Sequence, residues 1–201
     1  MAQALIGMTS WLGLVRIVNL FGSTAMAGYF IAIRIVMFAL LPAWGLSNAA
    51  ATLVGQNLGA KRPERAEQAV WMAARYDLYF LGAVGLVFVI LAGPISSLFA
   101  HDPTVHAHAT HCLRIVSLGF PLYAFAMVMT AAFNGAGDTW TPTLINAACF
   151  WAFEVPLAWV LSVPAGIGPT GVYLAITLGF SAMAVVALVM FRRGRWKVQR
   201  V

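Results

Sequence analysis

The sequence predicts an all-α membrane protein, a bundle of six transmembrane helices, and two observations carry this prediction. Of the 201 residues, 62% are hydrophobic and only 9% are charged, whereas soluble domains carry about 25% charged residues. Apolar runs also recur along the whole chain, and a membrane-spanning helix needs roughly 20 predominantly apolar residues. The chain therefore lacks the charge to cover a soluble surface, and the lipid bilayer is its expected environment.

Six runs are long enough to span a membrane. Three runs are free of charge (78–99, 115–133 and 171–191), whereas the other three contain Arg16, Arg34 and Glu154, one each. The second run is long for one span, so we expect it to be tilted or bent, with a kink at Pro42. The predicted spans are residues 1–21, 25–58, 78–99, 113–133, 140–163 and 171–191, followed by a basic tail over 192–201.

The basic residues indicate the orientation. None lies in the first, third or fifth loop, whereas eight lie in two clusters, one near Lys61 in the second loop and one in the tail. These are Lys61, Arg62, Arg65, Arg192, Arg193, Arg195, Lys197 and Arg200. Because loops rich in Lys and Arg stay in the cytoplasm, both termini are predicted to be cytoplasmic, in a cell (inner) membrane. The net charge of +6 is interpreted as topology, since no stretch shows a nucleic-acid-binding pattern.

Two glycine-containing stretches lie at predicted turns. Gly55 to Lys61 has the features of a helix stop, in which Gln56 and Asn57 can bond terminal carbonyls. Asn134 to Thr139 lacks a preceding strand and a following lysine, so it is a tight cytoplasmic turn and not a phosphate loop. Thr141-Pro142 predicts the N-cap and first-turn proline of the next helix.

These stretches resemble the multidrug and toxic compound extrusion (MATE) transporters. Gly55 to Lys61, followed by Arg65-Ala66, resembles the end of that family's eighth helix. The turn between that family's tenth and eleventh helices is similar to Gly135-x-Gly137-Asp138-Thr139-x-x-Pro142. The start of its twelfth helix is similar to Gly171-Val172. The residues of the motifs are Pro42, Gly45, Gly55, Gln56, Asn57, Gly59, Gly135, Gly137, Asp138, Pro142 and Pro156.

The resemblance covers the C-terminal six-helix lobe of a twelve-helix fold. It implies a secondary active efflux transporter that moves a small organic substrate in exchange for H⁺ or Na⁺, with no other cofactor and no enzymatic activity. The partner would be an N-terminal six-helix lobe, missing or on a separate chain; a half-length protein that dimerises is the alternative. One branch of the family has carboxylates in its seventh and tenth helices, and the matching segments here contain none.

Four charged residues fall in the outer half of the predicted membrane: Arg16, Arg34, Arg114 and Glu154. Such charges are costly in lipid and are functional candidates by default. Glu154 is the coupling candidate, as the only acidic residue deep in a predicted span, and the arginines can line the transport path. The alternative is snorkelling arginines with one structural ion pair.

Two further groups have weaker interpretations. Phe38 and Trp44 flank Pro42 and are candidates for lining an apolar cavity. His101, His106, His108 and His111 crowd the third loop and the start of the fourth helix, and they are expected to form a solvated outer region that gains charge at low pH. His108 and His111 could share a helical face in a metal site, but no carboxylate or cysteine completes one convincingly.

Two alternative functions remain open at this point. The excess of arginine favours a flippase for a lipid-linked precursor, which the broader superfamily also contains. A membrane-embedded enzyme would need converging nucleophile, base or metal ligands. The predicted spans contain no paired carboxylates, so the enzyme is disfavoured.

Overall fold

The fold is given by a computed structural model that describes residues 2–198. Within this range the protein is helical and has no β-strand. Its helices are α1 (Ala2–Asn19), α2 (Ser23–Gly59), α3 (Pro63–Ser97), α4 (Pro103–Leu118), α5 (Phe120–Gly135), α6 (Trp140–Asn146), α7 (Val155–Ser162) and α8 (Pro169–Arg192). A π-helical segment, Ala147–Glu154, joins α6 to α7, and a short 3₁₀ helix, Arg195–Val198, follows α8.

These elements form six consecutive rods, because α4 continues into α5 and α6 continues through the π-helical segment into α7. The predicted all-α, six-helix fold class is confirmed. Length and apolarity alone qualify four rods as membrane spans, namely α2, α3, residues 140–162 and α8, and a fifth if the bent α4–α5 pair is one span. The first rod, α1, contains Gln3, Arg16 and Asn19 and is not among them, so its predicted span stays a prediction.

Two rods are interrupted near a proline. The α4–α5 rod bends by 56° next to Pro121, which has no N–H to donate to the carbonyl of Ser117. In α3, Leu91 has non-helical dihedral angles (φ −100°, ψ 16°) three residues before Pro94. By contrast α2 is continuous through Pro42, and the kink expected there stays a prediction.

Two helices begin before the membrane spans that were predicted within them. The third helix begins at Pro63, 15 residues before the predicted span at 78, because charged residues continue the helix without ending it. The fourth begins at Pro103, where Asp102 caps the helix by accepting hydrogen bonds from the N–H groups of Thr104 and Val105. Both helices therefore extend further than their apolar cores.

The helices pack closely at small residues, as is common in membrane bundles. The interior has two apolar clusters. The first surrounds Tyr29, Leu81 and Phe120, and the second surrounds Val54, Met129 and Phe191 near the end of the lobe that carries Lys61. Part of the predicted tail belongs to the second cluster, since Trp196 is 1% exposed and its ring stacks on Phe191 at 4.8 Å. Arg200 lies outside the described residues.

Candidate functional site

Glu154 is the last residue of the π-helical segment, and its side chain lies inside the lobe, 2% exposed. It packs on α8 where Gly179 leaves room for it: a Cβ at position 179 would lie 3.0 Å from the Cβ and Cγ of Glu154. Pro156 follows two residues later and cannot donate a backbone hydrogen bond. In the same turn, the N–H of Val155 donates to the carbonyl of Phe150, five residues back. Such π-helical turns are frequent at functional sites.

Three tyrosines from different helices surround this interior. Tyr29 (α2), Tyr123 (α5) and Tyr173 (α8) are buried, and among the described residues none of their hydroxyl groups has a hydrogen-bond partner. The Trp11 indole lies beside the Tyr29 hydroxyl without a hydrogen bond of ordinary geometry. Buried polar groups normally are hydrogen-bonded, so each exception calls for an explanation.

Tyr29 lies next to Tyr173, and Tyr29 and Tyr123 lie in the part of the interior that holds Glu154. The rings of Tyr29 and Tyr173 stack at 6.3 Å, and both Tyr29 and Tyr123 lie near enough to Glu154 to interact electrostatically with it. Carboxylate and phenol oxygens can exchange a proton or contact a hard monovalent cation. We call Glu154, Tyr29, Tyr123 and Tyr173 the carboxyl–tyrosine cluster.

The arginines that the sequence singled out lie apart from this cluster. Arg16, Arg34 and Arg114 are all exposed on the surface of the lobe. Within residues 2–198 the one ion pair joins Lys197 to Glu67, so no arginine pairs with Glu154. The structural ion pair that was the alternative role for Glu154 is absent from this part of the chain. The exposed arginines are free to face lipid, water or a second lobe.

The histidines lie mostly on the fourth helix and only in part in the loop before it. His106, His108 and His111 lie on α4, and only His101 lies in the turn before it. His106 Nε2 lies 3.1 Å from the carbonyl oxygen of Gly93, and His111 Nδ1 lies 3.3 Å from Thr170 Oγ1. No group of three potential metal ligands is present in the described part of the chain.

Asp102 stabilises the start of that helix. The Thr104 hydroxyl and the N–H groups of Val105 and Thr104 donate to its carboxylate, which lowers the pKa of Asp102. This cap orders the start of α4, on which three of the four histidines lie. Their gain of charge at low pH stays a prediction.

The family motifs have clear structural roles. Gly135 touches α2 so closely that a Cβ there would lie 2.2 Å from the carbonyl oxygen of Ala51, and Gly137 has a left-handed φ of 79°. Asn57 Nδ2 donates to the Leu53 carbonyl at 2.8 Å, as expected for a helix stop that ends at Gly59. The predicted Thr141 N-cap was wrong: α6 begins at Trp140, and Asp138 accepts hydrogen bonds from the N–H and hydroxyl of Thr141.

The two aromatic candidates are exposed. Phe38 is 74% and Trp44 45% exposed on α2, on either side of Pro42. They lie on the outside of the isolated lobe, where lipid or a second lobe can cover them. The cavity that they would line stays a prediction.

Asp77 was missed by the sequence analysis. It lies on α3 at 0% exposure, and neither of its carboxylate oxygens has a partner among the described residues. Asp77 lies one residue before the predicted span 78–99, so it was not counted among the acids inside the bundle. The available signal was the helical spacing of Val70, Ala73, Ala74, Asp77 and Leu81, which form one buried face of α3.

The fold is that of a helical membrane lobe with ionisable residues buried in its interior. The MatE family matches residues 2–160 of this chain. The Probable multidrug resistance protein NorM of Thermotoga maritima is 26% identical over 180 residues, which cover 90% of this chain and 39% of that protein. The NorM of Rhodopseudomonas palustris is 29% identical over 174 residues, covering 85% of this chain and 37% of that protein.

Solved structures agree with the fold. The MATE transporter ClbM in complex with Rb⁺ superposes with a TM-score of 0.91 at 24% identity, covering 99% of this chain and 47% of ClbM. A MOP superfamily transporter from Pyrococcus furiosus gives 0.91 at 21% identity, covering 96% and 43%. The chain belongs to the MatE family, whose members are transporters and not enzymes. It spans about two-fifths of the length of the curated relatives that it matches.

Proposed function

We propose that this chain is the C-terminal half of a secondary active efflux transporter that exchanges a small organic compound for H⁺ or Na⁺. The carboxyl–tyrosine cluster is the observation that carries the proposal, because it holds a buried ionisable group inside the bundle. The names of the relatives support efflux, since NorM of Thermotoga maritima is called a multidrug resistance protein. The Rb⁺ in ClbM supports a monovalent cation as the coupling ion.

The proposed partner is an N-terminal six-helix lobe, on the same or a separate chain. Alternating access needs two bundles that move against each other around a central site, and this chain provides one. The exposed face of α2 with Phe38 and Trp44 is available for that contact. We place both termini in the cytoplasm, from the basic residues near Lys61 and in the tail.

The test is a transport assay on the whole protein, with both lobes, in proteoliposomes. Glu154→Gln should preserve folding and substrate binding but abolish the pH dependence of transport, because the glutamine cannot bind or release a proton. Glu64→Gln is the matched control, since Glu64 is exposed at the start of α3. An unaltered pH profile in Glu154→Gln, at normal abundance, would reject Glu154 as the coupling residue.

A lipid-linked precursor flippase is the second candidate, and the arginines favour it. Arg16, Arg34 and Arg114 are exposed and form no ion pair within residues 2–198, so they can attract anionic headgroups. Efflux and lipid-extraction assays on the same proteoliposomes separate the two. Headgroup-dependent lipid translocation without efflux of organic cations would establish the flippase.

A further inference from the structure

Asp77 is a second buried acid that the proposed function does not use. Its carboxylate is fully buried and unpartnered among the described residues, and α3 packs against α2, α4 and α5. Of these helices α5 contains no charged residue, and the only one on α2 is Arg34, which is exposed. The cation of α4, Arg114, is exposed, as is Arg75 on α3 itself. The histidines of α4 lie at its outer end, where His106 and His111 contact Gly93 and Thr170.

An unpaired carboxylate is very costly in such surroundings, so the group takes up a proton or another cation. A metal ion needs several oxygen ligands. On α5, which packs against α3, the hydroxyl of Thr130 already donates to the carbonyl of Ala126. Because a single carboxyl group offers too few oxygen ligands for a metal ion, the cation that Asp77 is expected to bind is a proton.

A groove between α2 and α3 leads towards this residue. Its volume is about 430 Å³. Asn57, Arg65 and Gln68 line its polar end, whereas Ala50, Ala73 and Tyr76 line the other end. Asp77 follows Tyr76 in sequence but is not itself a lining residue. The groove therefore opens at the end of the lobe that carries the basic residues of the second loop.

Two unpartnered polar residues lie one helical turn beyond those alanines. Asp77 is four residues after Ala73 on the buried face of α3, and Ser47 is three residues before Ala50 on the buried face of α2. The hydroxyl of Ser47 also lacks a hydrogen-bond partner among the described residues. A polar entrance, a groove and two unsatisfied oxygen-bearing side chains thus follow one another into the bundle.

We infer that Asp77 is a second proton-binding site of the lobe, served by water in the α2–α3 groove from the Arg65 end. The inference rests on the proposed function and extends it to two acids. A proton from water in the groove binds a carboxylate oxygen of Asp77, and its release returns it to that water. Asp77 and Glu154 lie on rods that do not pack against each other, so each binds its proton separately.

The test follows the C=O stretch of protonated carboxyl groups by infrared difference spectroscopy on the whole protein in lipid nanodiscs. Asp77→Asn should remove one band, and Glu154→Gln should remove a different one. Ala69→Phe, which fills the groove, should slow deuterium exchange of the Asp77 band and leave the Glu154 band unchanged. Ala83→Phe is the control, since Ala83 is exposed on α3 away from the groove.

The outcomes separate this inference from the proposed function. Absence of an Asp77-dependent band, or exchange unaffected by Ala69→Phe, would overturn the inference. If Asp77→Asn does not fold, Asp77→Glu must shift the band, and carbodiimide labelling of the wild-type protein must modify Asp77; failure of either would also overturn it. A transport pH profile independent of Glu154 would reject the proposed coupling role while leaving the Asp77 band as evidence for the second site.

Discussion

The contact between α2 and α5 at Gly135 and the interior around Glu154 are packed in opposite ways. At Gly135 the two backbones approach until no side chain fits, because a Cβ would lie 2.2 Å from the Ala51 carbonyl oxygen. Around Glu154 three tyrosine hydroxyl groups lack partners within the described chain, and the helix has a π-helical turn. One region is close-packed and the other leaves polar groups unsatisfied.

This difference separates residues that hold the lobe together from residues available for function. In lipid, apolar side chains gain little by leaving the bilayer, so close backbone packing contributes much of the association between helices. An unsatisfied buried polar group opposes folding by about 1–3 kcal/mol. A lobe that keeps three such groups in the interior that also holds Glu154 is expected to use them.

The largest effect is predicted for Gly135→Ala. The added Cβ would meet backbone atoms of Ala51, which cannot rotate away, and overpacking of this kind costs about 1–3 kcal/mol, occasionally more. We expect a loss of at least about 3 kcal/mol of stability, with α2 and α5 forced apart. Thermal unfolding in detergent, followed by size-exclusion chromatography, measures it.

Gly45→Ala is the control for this substitution. Gly45 lies inside α2 with no atom within 4 Å of its added Cβ, and alanine favours a helix over glycine by about 0.5–1 kcal/mol. Gly45→Ala should therefore be neutral or stabilising. Equal stability of the two variants would contradict the close contact at Gly135.

The sequence could predict the close-packed region better than the polar one. Apolar runs, turn glycines and basic loops depend on local composition, so they indicated the six rods and the Gly55 and Gly135 motifs. The burial of Asp77 depends on which face of α3 meets α2 and α5, and it adjoins Arg75 and Tyr76, which are exposed. A hydropathy window beginning at Leu78 therefore placed Asp77 at the membrane edge.

The carboxyl–tyrosine cluster was predictable only in part. Glu154 was found because one acid in a long apolar run is conspicuous. Tyr29, Tyr123 and Tyr173 come from three helices far apart in sequence, and tyrosines in a membrane bundle commonly face lipid headgroups. Only the tertiary packing shows that they lie inside and without hydrogen-bond partners.

An intermediate effect is predicted for Gly179→Ala, which changes the polar region directly. Its Cβ would lie 3.0 Å from the Cβ and Cγ of Glu154, and this flexible side chain can shift, unlike the backbone opposite Gly135. We expect a loss of about 1 kcal/mol of stability and a shifted pH profile of transport, because the carboxyl group must move. Both follow from unfolding and transport assays on the whole protein.

Gly82→Ala on α3 is the matched control, since no atom lies within 4 Å of its added Cβ. It should leave the pH profile unchanged. If Gly179→Ala behaves like Gly82→Ala in both assays, Glu154 does not depend on the room at Gly179, and the contrast between the two regions weakens.

The smallest effect is predicted for Lys197→Met, at the close-packed end where the tail folds back on the lobe. Lys197 pairs with Glu67, but their side chains are 31% and 36% exposed, and exposed ion pairs contribute about 0–1 kcal/mol. The adjacent Trp196 is buried, and its indole N–H donates to the Phe191 carbonyl at 3.0 Å. Lys197→Met should therefore cost less than about 1 kcal/mol at low salt and nothing measurable at high salt.

Trp196→Ala should cost about 3–5 kcal/mol at any salt concentration, because it empties a buried site. Thermal unfolding of both variants at two salt concentrations measures the difference. A large, salt-dependent loss in Lys197→Met would show that charge, and not apolar packing, holds this end of the lobe together.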